Sequence, residues 1–235
     1  RSIVAGLIAI VAMGLPETAE SQQIGSPYDF VERSQGIRAF GGYVLTDRGT
    51  IDIGPGSAPG FGAGYNIRIS GPFNFDAQAT YLPTSRRVYD ISTDTAGISD
   101  DPRAGLVELG EADLDLLLLD ATLRFDLTGP RTWYRLQPYA QIGAGGVFAV
   151  SSNESVEAGL PEDVDLRVRF ENGFTGHVGA GVEWHPSEAF SIRADARDTL
   201  WKLHVPDGFF QPGRSIDSEE WVQNLNVSLG LVVRF

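Results

Sequence analysis

Ionisable side chains recur at every second residue in several stretches of the chain, which is the spacing of side chains that share one face of a β-strand. Arg193, Asp195 and Arg197 form one such set, and Arg124 and Asp126 form another. Charges on a shared face could pair with each other, line a channel, or act as acids and bases. In a narrow interior they must pair, because an unpaired buried ion is costly. The predicted ion-pair network comprises Arg68, Asp76, Asp120, Arg124, Glu183, Arg193, Asp195 and Arg197.

Catalysis by a serine or threonine would need a general base within hydrogen-bond reach of the nucleophile. Three histidines could supply that base. His177 lies on a polar face in mid-strand and is predicted to belong to the ion-pair network. His185 lies in a tight turn and is predicted to be interfacial. His204 lies near a long connection and is followed by Val-Pro, so no His-x-Ser pattern is present there. We therefore predict no catalytic residues and a non-enzymatic protein.

Several other kinds of site are disfavoured by composition. The chain has no cysteine, which removes disulfides, zinc-thiolate sites, a cysteine nucleophile and a lipoprotein anchor. Its formal net charge of −13 argues against nucleic-acid binding. The long connections are acidic and could hold Ca²⁺ or Mg²⁺ between lipopolysaccharide phosphates, but none has the spacing of a calcium-binding loop. We predict no cofactor site and no metal site.

The elements that must position these residues are strands. Eight segments alternate apolar with polar side chains, and each has the roughly ten residues that a tilted strand needs to cross a membrane. The clearest is 221–235, whose odd positions are apolar or aromatic except for Gln223. No helical periodicity of useful length occurs outside the amino-terminal segment. The other segments are 37–45, 61–70, 73–82, 117–128, 133–150, 174–184 and 190–201.

Short and long connections alternate between these segments. Pro and Gly occur in the short ones, as is typical of tight turns. The short connections are 71–72, 129–132 and 185–188, and the long ones are 46–60, 83–116, 151–173 and 202–220. This layout predicts that all the tight turns lie at one end of a closed barrel and all the long loops at the other.

The amino terminus has a different composition. Arg1 precedes an apolar run, Ile3 to Met13, that is too short to span a bilayer. Small residues follow, so residues 1–21 are predicted to be a signal peptide that is incomplete at its start. Residues 22–36 are then a periplasmic lead-in without chemistry, and residues 37–235 are the barrel.

Alternation alone does not tell which face is outside, since a soluble ligand-binding barrel has the same period with apolar residues inside. Aromatic residues on the apolar face gather near the strand ends, with aliphatic residues between them, which is typical of the aromatic girdles of membrane barrels. The polar face combines glycines with charges of both signs, as a narrow lumen would require. The predicted girdle is Tyr43, Phe61, Phe73, Phe75, Tyr81, Phe125, Tyr134, Trp184, Phe190, Trp221 and Phe235.

With these features the chain resembles the small OmpA/OmpX-type outer-membrane β-barrel proteins. The resemblance implies an all-β, eight-stranded, antiparallel, up-and-down transmembrane barrel with short periplasmic turns and long extracellular loops. It also implies that Phe235 belongs to the signal read by the barrel assembly machinery. The expected partners are outer-membrane lipid and lipopolysaccharide, and the expected state is a monomer. No peptidoglycan-binding domain follows the eighth strand, so cell-wall anchoring is not expected.

An eight-stranded barrel is only wide enough for side chains to fill it, so we expect a salt-bridged, largely closed lumen. The expected function is a structural or surface-interaction role through the four loops. A narrow pore, or transport of a hydrophobic ligand, is the alternative. A lipid A-modifying enzyme and a soluble periplasmic ligand carrier are further alternatives.

Overall fold

The computed structural model describes residues 26–91, 101–152, 155–160, 166–168, 170, 172–210 and 216–235. The predicted signal peptide, residues 1–21, lies outside these residues, and so does the start of the predicted lead-in, residues 22–25. Within the described ranges, no helix is both long enough and apolar enough to cross a bilayer.

Strands account for most of the described chain, and eight of them form a closed antiparallel ring. β10 pairs with β2 and β7 pairs with β8, so that every strand of the ring has two neighbours. The predicted all-β, eight-stranded barrel is confirmed. In chain order the strands are β1 (Tyr28–Phe30), β2 (Gln35–Thr46), β3 (Ala58–Ser70), β4 (Phe73–Ile91), β5 (Leu106–Asp126), β6 (Arg131–Trp133), β7 (Leu136–Ser152), β8 (Gly173–Trp184), β9 (Phe190–His204) and β10 (Glu219–Arg234). The ring omits only the three-residue strands β1 and β6.

The apolar face of the ring points outward. Leu123 and Leu229 are 42% and 60% exposed, whereas Arg124 and Arg193 are 1% and 3% exposed. A soluble barrel would show the reverse. The surface available to lipid is therefore apolar, and the charged side chains lie in the lumen.

Two of the ring strands are much longer than their patterns predicted. β4 and β5 continue past the predicted ends at 82 and 117 as a paired hairpin, from Leu82↔Leu116 up to Ile91↔Leu106. The prediction of a loop over 83–116 is therefore wrong for the paired residues, whose alternation has the opposite phase to that of the membrane segments. Here Leu114 points inward and is 1% exposed, whereas Asp113 points outward. Next to the apolar band the outer face of the hairpin carries Asp113 and Asp115, which places this part of the hairpin beyond the band.

The single strand predicted for 133–150 is interrupted. Tyr134 and Arg135 have φ values of 50° and 64° and form a two-residue turn between β6 and β7. Positive φ at both positions is the geometry of a tight hairpin turn whose twist matches the flanking strands. β1, from the predicted lead-in, pairs with β6 along this hairpin.

Candidate functional site in the barrel lumen

The ionisable residues on the inward face of the strands meet in the lower part of the lumen, at the short-turn end. Asp195 is the centre of the first cluster. Its carboxylate lies 2.7 Å from Arg38 Nη1 and 2.8 Å from Arg197 Nε, and it accepts a hydrogen bond from Ser228. Arg193 Nε lies 3.8 Å from the same carboxylate. Three guanidinium groups thus surround one fully buried carboxylate.

Arg193 extends this cluster across the lumen. Its Nη1 lies 2.6 Å from Asp76 Oδ2, and its Nη2 donates to Gln141 Oε1 at 3.1 Å. Its Nε donates to the hydroxyl of Tyr139 at 2.8 Å. Because a guanidinium has five N–H donors in a fixed plane, one arginine can join three strands in this way.

A second cluster lies nearer the base of the barrel around Glu183. Arg124 Nη1 lies 3.0 Å from Glu183 Oε2, and Arg234 Nη2 lies 2.5 Å from Glu183 Oε1. Arg124 Nε also lies 3.0 Å from Asp126 Oδ1. Ser191 donates its hydroxyl hydrogen to Glu183. These side chains are nearly inaccessible to solvent, so the pairing must offset the cost of dehydrating each ion.

Tyr139 lies between the two clusters. The guanidinium carbons of Arg124 and Arg193 are 5.0 and 4.7 Å from the centre of its ring, within cation–π range. The space for the ring comes from Gly181 on the neighbouring strand, where an added Cβ would lie 2.2 Å from the Tyr139 hydroxyl oxygen. The glycine on the polar face of β8 therefore accommodates the large side chain opposite.

Two residues predicted for the ion-pair network take other partners. Arg68 is half-buried at the base, and its Nη1 donates to the carbonyl oxygen of Val31 at 2.7 Å. Asp120 accepts a hydrogen bond from Gln78 at 3.1 Å and lies 3.9 Å from His177 Nδ1. The other six predicted residues, Asp76, Arg124, Glu183, Arg193, Asp195 and Arg197, lie in the two clusters.

The prediction omitted Arg38, Asp126 and Arg234, although each lies on the inward face. All three belong to the polar face of the alternating segments. Phe40 is also inward and buried, with the Arg38 guanidinium 4.2 Å from its ring centre. The alternation therefore places all three in the lumen, but it does not indicate that they join the two clusters.

The three histidines occupy different environments. His177 is buried in the lumen, and its Nε2 lies 2.9 Å from the hydroxyl oxygen of Thr122. With Asp120 on its other side, this resembles a nucleophile–base–acid arrangement, but the 3.9 Å separation is long and the group has almost no solvent access. His185, in the turn after β8, is buried at the base and contacts Gln137 Oε1 at 3.1 Å. Burial lowers the pKa of His185 to about 4.

The upper part of the lumen is apolar. The strands line it with Val44, Leu82, Leu114, Leu116, Leu118, Val147, Trp201, Leu203 and Val222. Three of the long connections add Ile51, Ile53, Leu160, Leu166, Val168, Val205 and Phe209. Loop side chains therefore cover the outer mouth from above and bury themselves against the strands.

Among the described residues, this upper part contains one buried ion pair. Arg86 Nη1 lies 2.6 Å from Glu157 Oε1, and both side chains are almost fully buried. Glu157 belongs to a short 3₁₀ turn, Ser155–Gly159. The pair thus ties the third long connection to β4.

Every residue of the predicted girdle is 38–68% exposed, but Tyr134 lies in the turn between β6 and β7 and not on a ring strand. His204 lies at the rim beside a cavity of about 380 Å³, bounded by Phe170, Phe174, Leu203 and Trp221. The residues that line this cavity include no serine, threonine or cysteine. Within the described part of the chain, no three potential metal-ligating side chains converge.

Comparison with known proteins places this geometry in context. Residues 5–235 match the family described as outer membrane protein beta-barrel domain. OprG, an outer membrane protein from Pseudomonas aeruginosa, is 13% identical, with a TM-score of 0.51 over 86% of this chain and 97% of that one. Neisserial surface protein A is 15% identical, with a TM-score of 0.48 over 89% and 98%. No curated protein matches the sequence.

Proposed function

We propose that this chain, which belongs to the outer membrane β-barrel family and is an integral protein of the outer membrane, is a closed, non-enzymatic barrel. Its proposed role is structural or lies in surface interaction. The observation that carries the proposal is the content of the lumen. Its lower part is filled by paired charges, and its upper part by apolar side chains from the strands and loops. A water-filled channel would leave such groups hydrated.

The surface that would interact with a partner is the extracellular end. There the β4–β5 hairpin rises above the apolar band, and its outer face carries Arg87 together with Glu108 and Glu111, which lie within 4.0 Å of it. Arg87 also pairs with Asp52 of the first long connection. The pair with Asp52 joins the hairpin to that connection.

Planar-bilayer recording tests the closed lumen. We expect the purified protein to insert without discrete conductance steps, while a general porin in the same bilayer serves as the control for detection. Reproducible steps that scale with salt concentration would favour the narrow pore instead.

A second candidate function, transport of a hydrophobic ligand, is favoured by one specific observation. Leu203 lines the rim cavity and also belongs to the apolar core, and Phe170 packs against that core. Leu203 and Phe170 thus lie at a point where the rim cavity and the apolar upper lumen adjoin, which is where a hydrophobic ligand could pass. Uptake of a fluorescent hydrocarbon by proteoliposomes would support this function if Leu203→Trp abolished it, and equal uptake by empty liposomes would exclude it.

The expected partners remain part of the proposal. Phe235 is 55% exposed and lies at the base on the outer face, where assembly machinery could reach it during insertion. Its amide donates to Gln35 O at 3.0 Å, which joins the last residue to the strand that closes the ring. Lipid and lipopolysaccharide would surround the apolar band of a monomer. Crosslinking in native membranes would test the monomeric state.

A further inference from the structure

The segment before the first ring strand crosses the base of the barrel. Its β1 pairs with β6, which precedes β7, and its end joins β2 at Gln35. In the ring, β2 has β3 and β10 as neighbours and lies opposite β7. Residues 28–34, here called the base strap, therefore run from one side of the barrel to the other.

Hydrogen bonds hold the base strap on both sides. The amide of Val31 donates to Pro130 O at 3.0 Å, and Arg68 donates to Val31 O at 2.7 Å. Arg33 Nη1 donates to Arg234 O at 2.6 Å. Val31 is 9% exposed, and Thr132, which pairs with Asp29, is 2% exposed. One face of the strap and β6 thus covers the periplasmic end of the lumen.

The opposite face carries a row of large side chains in register. Tyr28 pairs with Trp133, and Trp133 pairs with Leu136. Leu136 in turn pairs with Trp184 on β8. All four side chains are 36–49% exposed, so the row forms a continuous apolar surface from the strap onto the barrel wall.

The position of this row identifies what covers it. Leu136 and Trp184 belong to ring strands whose outer face meets lipid, and the row continues that face without a break. Phe30 lies beyond it, 59% exposed and opposite the exposed Arg131, with the Arg68 guanidinium 6.0 Å from its ring centre and one edge on the basal cavity that Val31 also lines. Aromatic rings favour the membrane–water interface, and arginine can extend toward lipid phosphates while its stem remains on apolar surface.

We propose that the outer face of β1 and β6 binds the interfacial region of the periplasmic leaflet and thereby anchors the base strap across the lumen. The partner is the phospholipid surface, and the contacts are made by Tyr28, Phe30 and Trp133. The segment expected from the sequence to be a lead-in without chemistry becomes a membrane-binding element. This inference is independent of whether the upper lumen is closed.

Single-cysteine labelling tests the proposal cleanly because the chain contains no native cysteine. Phe30→Cys and, as the matched control, Asp29→Cys are each labelled with an environment-sensitive fluorophore in the full chain in phospholipid nanodiscs; Asp29 points away from Phe30 and is itself exposed. We expect the label at 30 to be blue-shifted and quenched severalfold more by headgroup-region nitroxide lipid than by aqueous iodide. The label at 29 should show the reverse preference.

Two outcomes would overturn the proposal. Equal quenching of both labels by iodide would mean that the strap lies in water. Protection of the label at 30 from both quenchers would mean that a protein surface, such as a second copy or an added strand, covers this face.

A second measurement avoids labels. Hydrogen exchange at the Val31 amide should be severalfold faster in a Tyr28→Ser, Phe30→Ser double variant than in the native chain, because the strap loses its lipid contacts. The conservative pair Tyr28→Phe, Phe30→Tyr should leave exchange unchanged. Equal exchange in the native chain and the serine variant in nanodiscs would also overturn the proposal.

Discussion

The lower and upper parts of the lumen are filled by opposite chemistry on the same strands. On β9, Arg193 and Arg197 point inward at the level of the apolar band, and Trp201 and Leu203 point inward above it. The outer face changes in the opposite sense, from Ile192 below to Lys202 above. Within the membrane the apolar side chains of β9 point outward to lipid. Above the membrane they point inward, away from water.

The phase of the alternation therefore marks the membrane boundary. On β5 the change occurs in the run Leu116-Leu117-Leu118-Leu119, where inward and outward positions are both apolar. Below it Leu123 is outward and Arg124 inward, while above it Asp115 is outward and Leu114 inward. A strand that leaves the bilayer must bury its apolar side chains inside the barrel instead.

We expect the largest loss of stability from a substitution in the lower part of the lumen. Glu183→Leu leaves Arg124 and Arg234 buried without their shared carboxylate, which should reduce the free energy of unfolding by about 3–5 kcal/mol. Denaturant titration in phospholipid vesicles measures it. The matched control Glu219→Gln removes the exposed partner of Lys202 and should have no measurable effect. Equal, small effects of both variants would show that the basal ion pairs contribute nothing.

The upper part should respond to lost volume rather than lost charge. Leu116 is fully buried, so Leu116→Ala should cost about 2–5 kcal/mol through the cavity that it leaves. The same titration measures it, with Leu109→Ala as the control because Leu109 is exposed on the hairpin. A wild-type value for Leu116→Ala would mean that the upper lumen is loosely packed or hydrated.

The outer face offers the complementary test. Leu123→Arg places a charge in the apolar band and should destabilise the barrel by about 2–4 kcal/mol if it lies near the bilayer midplane. Asp113→Arg, outward on the same strand above the inversion, should be tolerated. Similar unfolding free energies for the two variants in vesicles would contradict the assigned boundary.

The smallest expected effect is a pH dependence at the base. The pKa of His185 falls from 6.5 to about 4 because burial disfavours the imidazolium. Well above pH 6.5, His185 is neutral in both the folded and the unfolded chain and the full stability is present. As the pH falls from 6.5 toward 4, the unfolded chain binds a proton that the folded chain does not, which lowers the free energy of unfolding by about 1–3 kcal/mol. Thermal unfolding at pH 7 and pH 5 measures this, and His185→Gln should reduce the difference. An undiminished difference in that variant would assign the pH dependence to other groups.

The sequence predicted the barrel, its strand number and the outward direction of Leu123 and Leu229, because alternation within the membrane is a local pattern. It did not predict the extension of β4 and β5. There the inward residues are apolar and the outward ones often polar, which is the reverse of the membrane segments. Nor could it predict which charges pair. Arg38 and Asp195 are 157 residues apart, and their contact depends on the register of the closed ring.

The role of the loops was also beyond the sequence. Ile51 and Phe209 stand in segments without periodicity, so nothing local indicates that they enter the mouth of the barrel. Their burial depends on the apolar surface that the inverted strands present beneath them. In the same way, the contact of β1 with β6 depends on the turn at Tyr134 and Arg135.

A closed barrel requires a dry upper lumen. Water-edited solid-state NMR of the protein in lipid bilayers measures how fast magnetisation moves from water to each methyl group. Leu114, Leu116 and Val147 should receive it far more slowly than Val107, which is 48% exposed on the hairpin. Transfer to those three residues as fast as to Val107 would show a hydrated lumen and contradict the closed barrel.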